Sequence, residues 1–202
     1  MAHSNQRISG FTLIEMVISL GIFMLFIGMV LSIFISLTAT QQKTNYNRET
    51  VSETKNIINT ISTEAKEKAI DYNCYEREAI CGNRDNNLAL ISPNGLTRTI
   101  FSKSCTNGFC NLTQTNQSRS NRNESWALGQ TSQLNSDKLK IKDLKFLIYP
   151  KENPFNIENA ANDKTQFQPV VNIIINIART TSGNSDPIII QTSVTSRIYN
   201  EQ

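Results

Sequence analysis

Residues 16 to 37 carry no charge, and an acid, Glu15, stands immediately before them. The apolar stretch from Phe11 to Leu37 reaches roughly 40 Å as a helix at about 1.5 Å per residue. That is enough to cross a hydrocarbon core about 30 Å thick. Glu15 then sits at or inside the bilayer edge, where an ionisable side chain costs about 2.5–3.5 kcal/mol near a helix centre and less towards an end. Such an acid calls for a reason. A secretory signal does not supply one: its apolar core is about 7–15 residues and ends at a small-residue cleavage site. Here the run is about twice as long, and no Ala-x-Ala pattern follows Leu37. An uncleaved signal anchor is the remaining conventional alternative. Charge asymmetry says little about orientation, with Arg7 on one side and Lys43 and Arg48 on the other.

The residues leading in are Arg7-Ile8-Ser9-Gly10-Phe11-Thr12-Leu13-Ile14-Glu15. From residue 7 to about 35 this resembles the processing site of type IV prepilins and type II secretion pseudopilins. The resemblance implies cleavage between Gly10 and Phe11 by a prepilin peptidase and N-methylation of the new Phe11 amine. It implies a structural subunit extracted from the inner membrane by an assembly platform and packed against other pilin or pseudopilin subunits. The head would lie outside the cytoplasm, with membrane lipid around the helix before assembly. Physical reasons accompany it. Gly10 has no Cβ, so a protease can approach its backbone closely. Glu15 lies near an electropositive helix start, and a neighbour's Phe11 amine could offset the cost of burying its charge. The same resemblance assigns Glu15 to assembly. Many major pilins carry a proline partway along this helix; its absence here leans towards a minor pilin or pseudopilin. The run Ile190 to Arg197 is similar to the final strand of J- or W-type minor subunits.

Helical periodicity continues past the membrane segment. Asn47, Val51, Thr54, Ile58, Ile61, Ala65, Lys68 and Tyr72 recur at three- and four-residue steps, with charges on the other faces. A continuous helix from Phe11 to Asp71 would reach roughly 90 Å at about 1.5 Å per residue. Strand patterns follow. Leu88 to Ile91 and Leu96 to Phe101 flank Pro93-Asn94-Gly95, which predicts a hairpin with a tight primed turn. Leu139 and Ile141 alternate with lysines, then the phase slips to Leu144, Phe146 and Ile148, as in one strand with a bulge or in two short strands. Val171, Ile173, Ile175 and Ile177 make one more strand face, and Ile188, Ile190, Thr192, Val194 and Ile198 the last. A turn at Ser182-Gly183-Asn184 would join these two as the heart of the sheet. Residues 113 to 124 and 150 to 169, the latter with Phe155 and Phe167, read as surface loops. The fold class is therefore α+β and pilin-like: one long N-terminal helix, half for the membrane and half amphipathic, packed on an antiparallel β-sheet. The boundaries are a leader at 1–10, a transmembrane or filament-core helix at 11–40, and a head at 41–202, with amphipathic helix at 41–72 and mainly strand at 85–202.

All four cysteines, Cys74, Cys81, Cys105 and Cys110, lie beyond the apolar helix, and an even number in an exported domain suggests disulfides. Three pairings are open. Local pairing is favoured, because Thr106-Asn107-Gly108-Phe109 reads as a reverse turn between Cys105 and Cys110. Cys74 and Cys81 would then staple the exit of the long helix. Zinc is the alternative, but the six- and four-residue spacings do not suit it, and the one histidine, His3, is in the leader. Free thiols are a third reading.

Nothing points to catalysis, a metal or a cofactor. The head has no histidine for a Ser-His or Cys-His pair, and its glycines stand in isolated turns. A net charge of +3, near +2 without Arg7, argues against a nucleic-acid partner. Even so, Arg98, Lys103, Arg119, Arg122 and the lysines at 138, 140, 142 and 145 could gather into a patch, and Arg119 and Arg122 are candidate ligand contacts. Two rival functions follow: an anchored extracytoplasmic ligand-binding domain, and a DNA-binding minor pilin of an uptake system.

Overall fold

The computed structural model describes residues 10, 12–154, 168–178 and 187–196. The chain divides into two compact units, Met1–Arg48 and Glu49–Gln202. Helix α1, Leu13–Glu67, contributes to both. Within the first unit its large side chains are exposed from Leu13 (83% exposed) to Leu37, apart from the half-buried Ile27. Hydroxyls there close on the helix itself: Thr38 Oγ1 donates to Phe34 O and Thr40 Oγ1 to Ser36 O, each at 2.9 Å. Bonds of this kind satisfy a polar side chain without water.

In the second unit the helix buries Thr50, Thr54, Ile57, Ile58, Ile61 and Ala65. The stripe differs from the sequence reading at its margins, because Thr50 and Ile57 join it while Asn47 and Val51 stay half-buried. Burying an isoleucine fully is worth about 1.5–3 kcal/mol, so these positions anchor the helix. The helix stops at Glu67, short of the predicted Asp71–Tyr72. Ala69–Ile70 pair instead with Ile91 and Leu90 as strand β1. Asp71 then accepts from Cys74 N at 3.1 Å and starts a separate helix, α2, Tyr72–Arg77. An N-cap aspartate and a strand partner outcompete continued periodicity.

The remaining strands are β2 Asn87–Ile91, β3 Thr97–Thr106, β4 Phe109–Ser118, β5 Gln130–Gln133, β6 Ile141–Tyr149, β7 Val170–Ile177 and β8 Ile188–Thr195. They form one antiparallel sheet with β1, in the order β1-β2-β3-β4-β6-β7-β8, β5 pairing separately with β4. The β2–β3 hairpin is as predicted, but its turn is not primed. Gly95 N donates to Ser92 O at 2.9 Å, and Gly95 takes φ +73 while Asn94 does not enter positive φ. Pro93 holds negative φ at the second turn position, which excludes a primed turn starting there. The two-residue primed geometry occurs at Asn107-Gly108, φ 55 and 79, between β3 and β4.

The phase slip is a register shift between Ile141 and Asp143 in β6. Residues 113–118, read as loop, are strand, because Thr113 to Ser118 hydrogen-bond along β3 in a ladder that needs no apolar side chains. The β7–β8 hairpin pairs as expected, with Val171, Ile173, Ile175 and Ile177 buried, but β8 is an edge strand and not the heart of the sheet. Its turn at 182–184, Ile198, Phe155 and Phe167 lie outside the described residues.

The second half of α1 covers one face of the sheet, packing with Leu88, Leu90, Phe101, Leu112, Phe146 and Ile173. On the opposite face α2 and the loop after it bring Cys74 and Cys81 over Ala89 and Ile100. The short strand β1 leaves part of β2 without a strand partner, and Tyr75 fills in. Its hydroxyl accepts from Ala89 N at 2.8 Å and donates to Asn87 O at 3.0 Å. Burial pushes the Tyr75 phenol well above its ordinary value, keeping that donor protonated.

Candidate functional site

The head of α1 is built from four consecutive residues. Thr12 precedes the helix, and its backbone N–H and its hydroxyl donate to Glu15 Oε2 at 3.1 and 3.0 Å. In return Glu15 N donates to Thr12 Oγ1 at 3.4 Å. This is a reciprocal capping box, a threonine at the cap and an acid three residues on. It satisfies helix-start amides that have no partner inside the helix. Thr12 therefore has a mechanism that reading the sequence for assembly alone missed, although the Thr-x-x-Glu spacing was there to find. Gly10 has open space around its Cβ position. Phe11 lies outside the described residues.

The cysteines pair as Cys74–Cys81 and Cys105–Cys110. The second bond joins directly opposed residues of β3 and β4 across the Asn107-Gly108 turn. The first ties α2 to the loop before β2. No group of three or more potential metal ligands occurs among the described residues.

The arginines gather at the α2 side of the sheet, with Arg98 at the centre. Its side chain is 1% exposed and makes a two-pronged contact with Glu78, both bonds 2.7 Å. It also donates to Gln117 Oε1 at 3.0 and 2.7 Å and approaches Asp71 Oδ2 at 3.5 Å. Hydrogen bonding by Arg98 holds the Glu78 carboxyl below its ordinary value, while burial pushes that of Asp71 up despite Arg98. Arg98 and Arg119 both lie over the ring of Trp126, at 4.4 and 4.3 Å. Arg119 Nε donates to Gly95 O at 2.8 Å and Arg122 Nε to Asn94 O at 3.1 Å. So Arg119 and Arg122 do come together, on the β2–β3 turn. Arg98 is drawn inward and is not part of a surface patch, and Lys103 is tied to Asp143 at 3.0 Å. Lys138 reaches towards Glu49 at 3.6 Å. The sequence reading missed Arg77, Glu78 and Trp126 as members of this cluster, for no spacing along the chain links them.

Against known proteins, the family model for the prokaryotic N-terminal methylation motif matches residues 5–31. Neither a curated protein nor a solved structure matches the chain. One helix among the described residues, α1, is long and apolar enough to cross a membrane, and with the motif it indicates a membrane anchor. By this motif the chain resembles type IV prepilins and type II secretion pseudopilins, and its α+β architecture, a long N-terminal helix with an antiparallel sheet, is pilin-like.

Proposed function

We propose that the protein is a structural subunit, a minor pilin or pseudopilin, of a type IV pilus or type II secretion-like filament, and not an enzyme. The observation that supports this best is the Thr12–Glu15 capping box at the head of the uncharged stretch 16–37, inside the matched motif. The leader, residues 1–10, is removed by prepilin peptidase between Gly10 and Phe11, and the Phe11 amine is methylated. Residues 11–40 sit in the inner membrane and later in the filament core; residues 41–202 form the extracytoplasmic head.

The capping box gives this sequence a chemical logic. In a lone subunit, Thr12 supplies two donors to the Glu15 carboxylate, which lowers the cost of holding it at the bilayer edge. A neighbour's Phe11 amine adds the opposite charge that hydrogen bonds cannot. Pairing is then strongest in the dry filament core and sets the stagger between subunits. The inner-membrane assembly platform would deliver subunits to that register.

Intact-mass and N-terminal peptide mass spectrometry on protein from native membranes tests this reading. A chain beginning at N-methylated Phe11 is expected. An uncut leader, or cleavage beyond Leu37, would sink it and leave an anchored or secreted binding module.

A further inference from the structure

Beside the α2 helix, the β2–β3 turn and the segment after β4 enclose a cleft of about 440 Å³, a size suited to one small ligand. Its lining includes Arg77, Arg119, Arg122, Asn123 and Trp126, with two acids, Asp71 and Glu78, at the wall towards Arg98. Two of these arginines are positioned by the backbone. Arg119 and Arg122 each spend Nε on a carbonyl of the turn, at Gly95 and Asn94. Gly95 permits this, since a Cβ there would stand 3.0 Å from Arg122 Nε. Anchored through Nε, a guanidinium is held in one plane, and Arg119 keeps its two terminal nitrogens for a further acceptor.

Three arginines of the lining stand against two acids, and both acids are drawn towards Arg98 behind the wall. Both carboxylate oxygens of Glu78 accept from Arg98 behind the wall. No acid among the described residues forms a salt bridge with Arg77, Arg119 or Arg122. A planar fork matches a carboxylate best. Asp71 and Glu78 on the wall disfavour a dianion, because like charges at close range repel in a partly desolvated cleft. Asn123 adds an amide, and each Glu78 oxygen, with one lone pair taken by Arg98, keeps a second that can accept from a hydroxyl.

We infer that this cleft binds a singly charged, hydroxyl-bearing carboxylate of the sugar-acid class, a uronate, held by Arg119 and Arg122 with Arg77 at the rim. The site is independent of how the N-terminus is processed, so its success or failure leaves the filament reading untouched.

Trp126 is the one tryptophan of the chain, and Arg119 lies on it, so it reports the site directly. The full chain in micelles of a neutral detergent is titrated with glucuronate, with glucose and with inorganic phosphate, following tryptophan emission. Isothermal calorimetry covers binding that leaves emission unchanged. Saturable binding of glucuronate is expected, with glucose and phosphate at least tenfold weaker. Arg122→Gln and Arg77→Gln, both at exposed positions, should weaken glucuronate about tenfold, a loss of about 1.4 kcal/mol, and Arg77→Gln should do so without changing the melting temperature. A glucuronate-repeat oligosaccharide that binds tighter than the free acid identifies a surface polysaccharide as the source, and equal binding a free sugar acid. No heat and no emission change with glucuronate would overturn the inference. So would equal binding of glucose or phosphate, or wild-type affinity in both variants.

Discussion

At the scale of single residues, three acids and one arginine show how charge is handled here. Glu15 is satisfied by Thr12 within its own chain, so replacing either should be felt before any neighbour arrives. Glu15→Leu is expected to leave the subunit inserted and cleaved but absent from filaments sheared off cells; wild-type filament yield would argue against a pairing role. Thr12→Val should reduce assembly less, because it removes one of two donors and keeps the charge. Arg98 is the buried counterpart. Removing one partner of a buried pair costs about 3–5 kcal/mol, so Arg98→Met should lower stability in chemical unfolding by that order. The pH response follows from Glu78, whose hydrogen bonds from Arg98 hold its folded value below the ordinary 4.5. Its contribution is complete above 4.5 and is lost as pH falls through the lowered folded value. Asp71 runs the other way: burial raises it above 3.8, so its share is present below 3.8 and fades as pH rises. Unfolding midpoints measured from pH 3 to 7 should therefore show a shallower acid limb in Glu78→Gln, and a flatter profile above 3.8 in Asp71→Asn.

At the scale of elements, turn chemistry decided more than side-chain pattern. Asn-Gly occurs twice between strands, at 94–95 and 107–108. Only the second makes a primed turn, because Pro93 commits the first to another geometry. Gly129 shows a different demand. A Cβ there would lie 2.7 Å from Asn116 O, a backbone atom of β4 that cannot swing aside. Gly129→Ala should force β5 away from β4 and speed hydrogen exchange of the Thr113–Asn116 amides, leaving those of β7 protected as before. Strand β4 itself was illegible as a strand beyond Leu112, since Thr, Gln and Asn in succession carry no apolar alternation. Its ladder with β3 is a tertiary fact, set by the preceding turn and the neighbouring strand.

At the scale of the whole molecule, the head is a sheet with the second half of α1 on one face and α2 with its disulfide on the other. The two disulfides should therefore contribute unequally. Closing so short a loop is worth about 2–3 kcal/mol on chain entropy alone. Cys105–Cys110 spans a hairpin already closed by its turn, whereas Cys74–Cys81 also holds α2 over Ala89 and Ile100. Cys74→Ser/Cys81→Ser should lower the unfolding free energy more than Cys105→Ser/Cys110→Ser, and should also loosen the Arg98–Glu78 cluster. The sequence by itself determined the membrane-length helix, its acid, the amphipathic continuation, the phase slip after Ile141 and the β7–β8 pairing. Those follow from local periodicity, which each segment carries within itself. It also carried the motif at residues 5–31, a contiguous signal. Only the tertiary structure decided where α1 stops, which strand lies at the edge, and that Arg77, Arg119, Arg122 and Trp126 share a cleft. Those depend on contacts between residues twenty to fifty positions apart, and no periodicity records which distant side chains a fold will bring together.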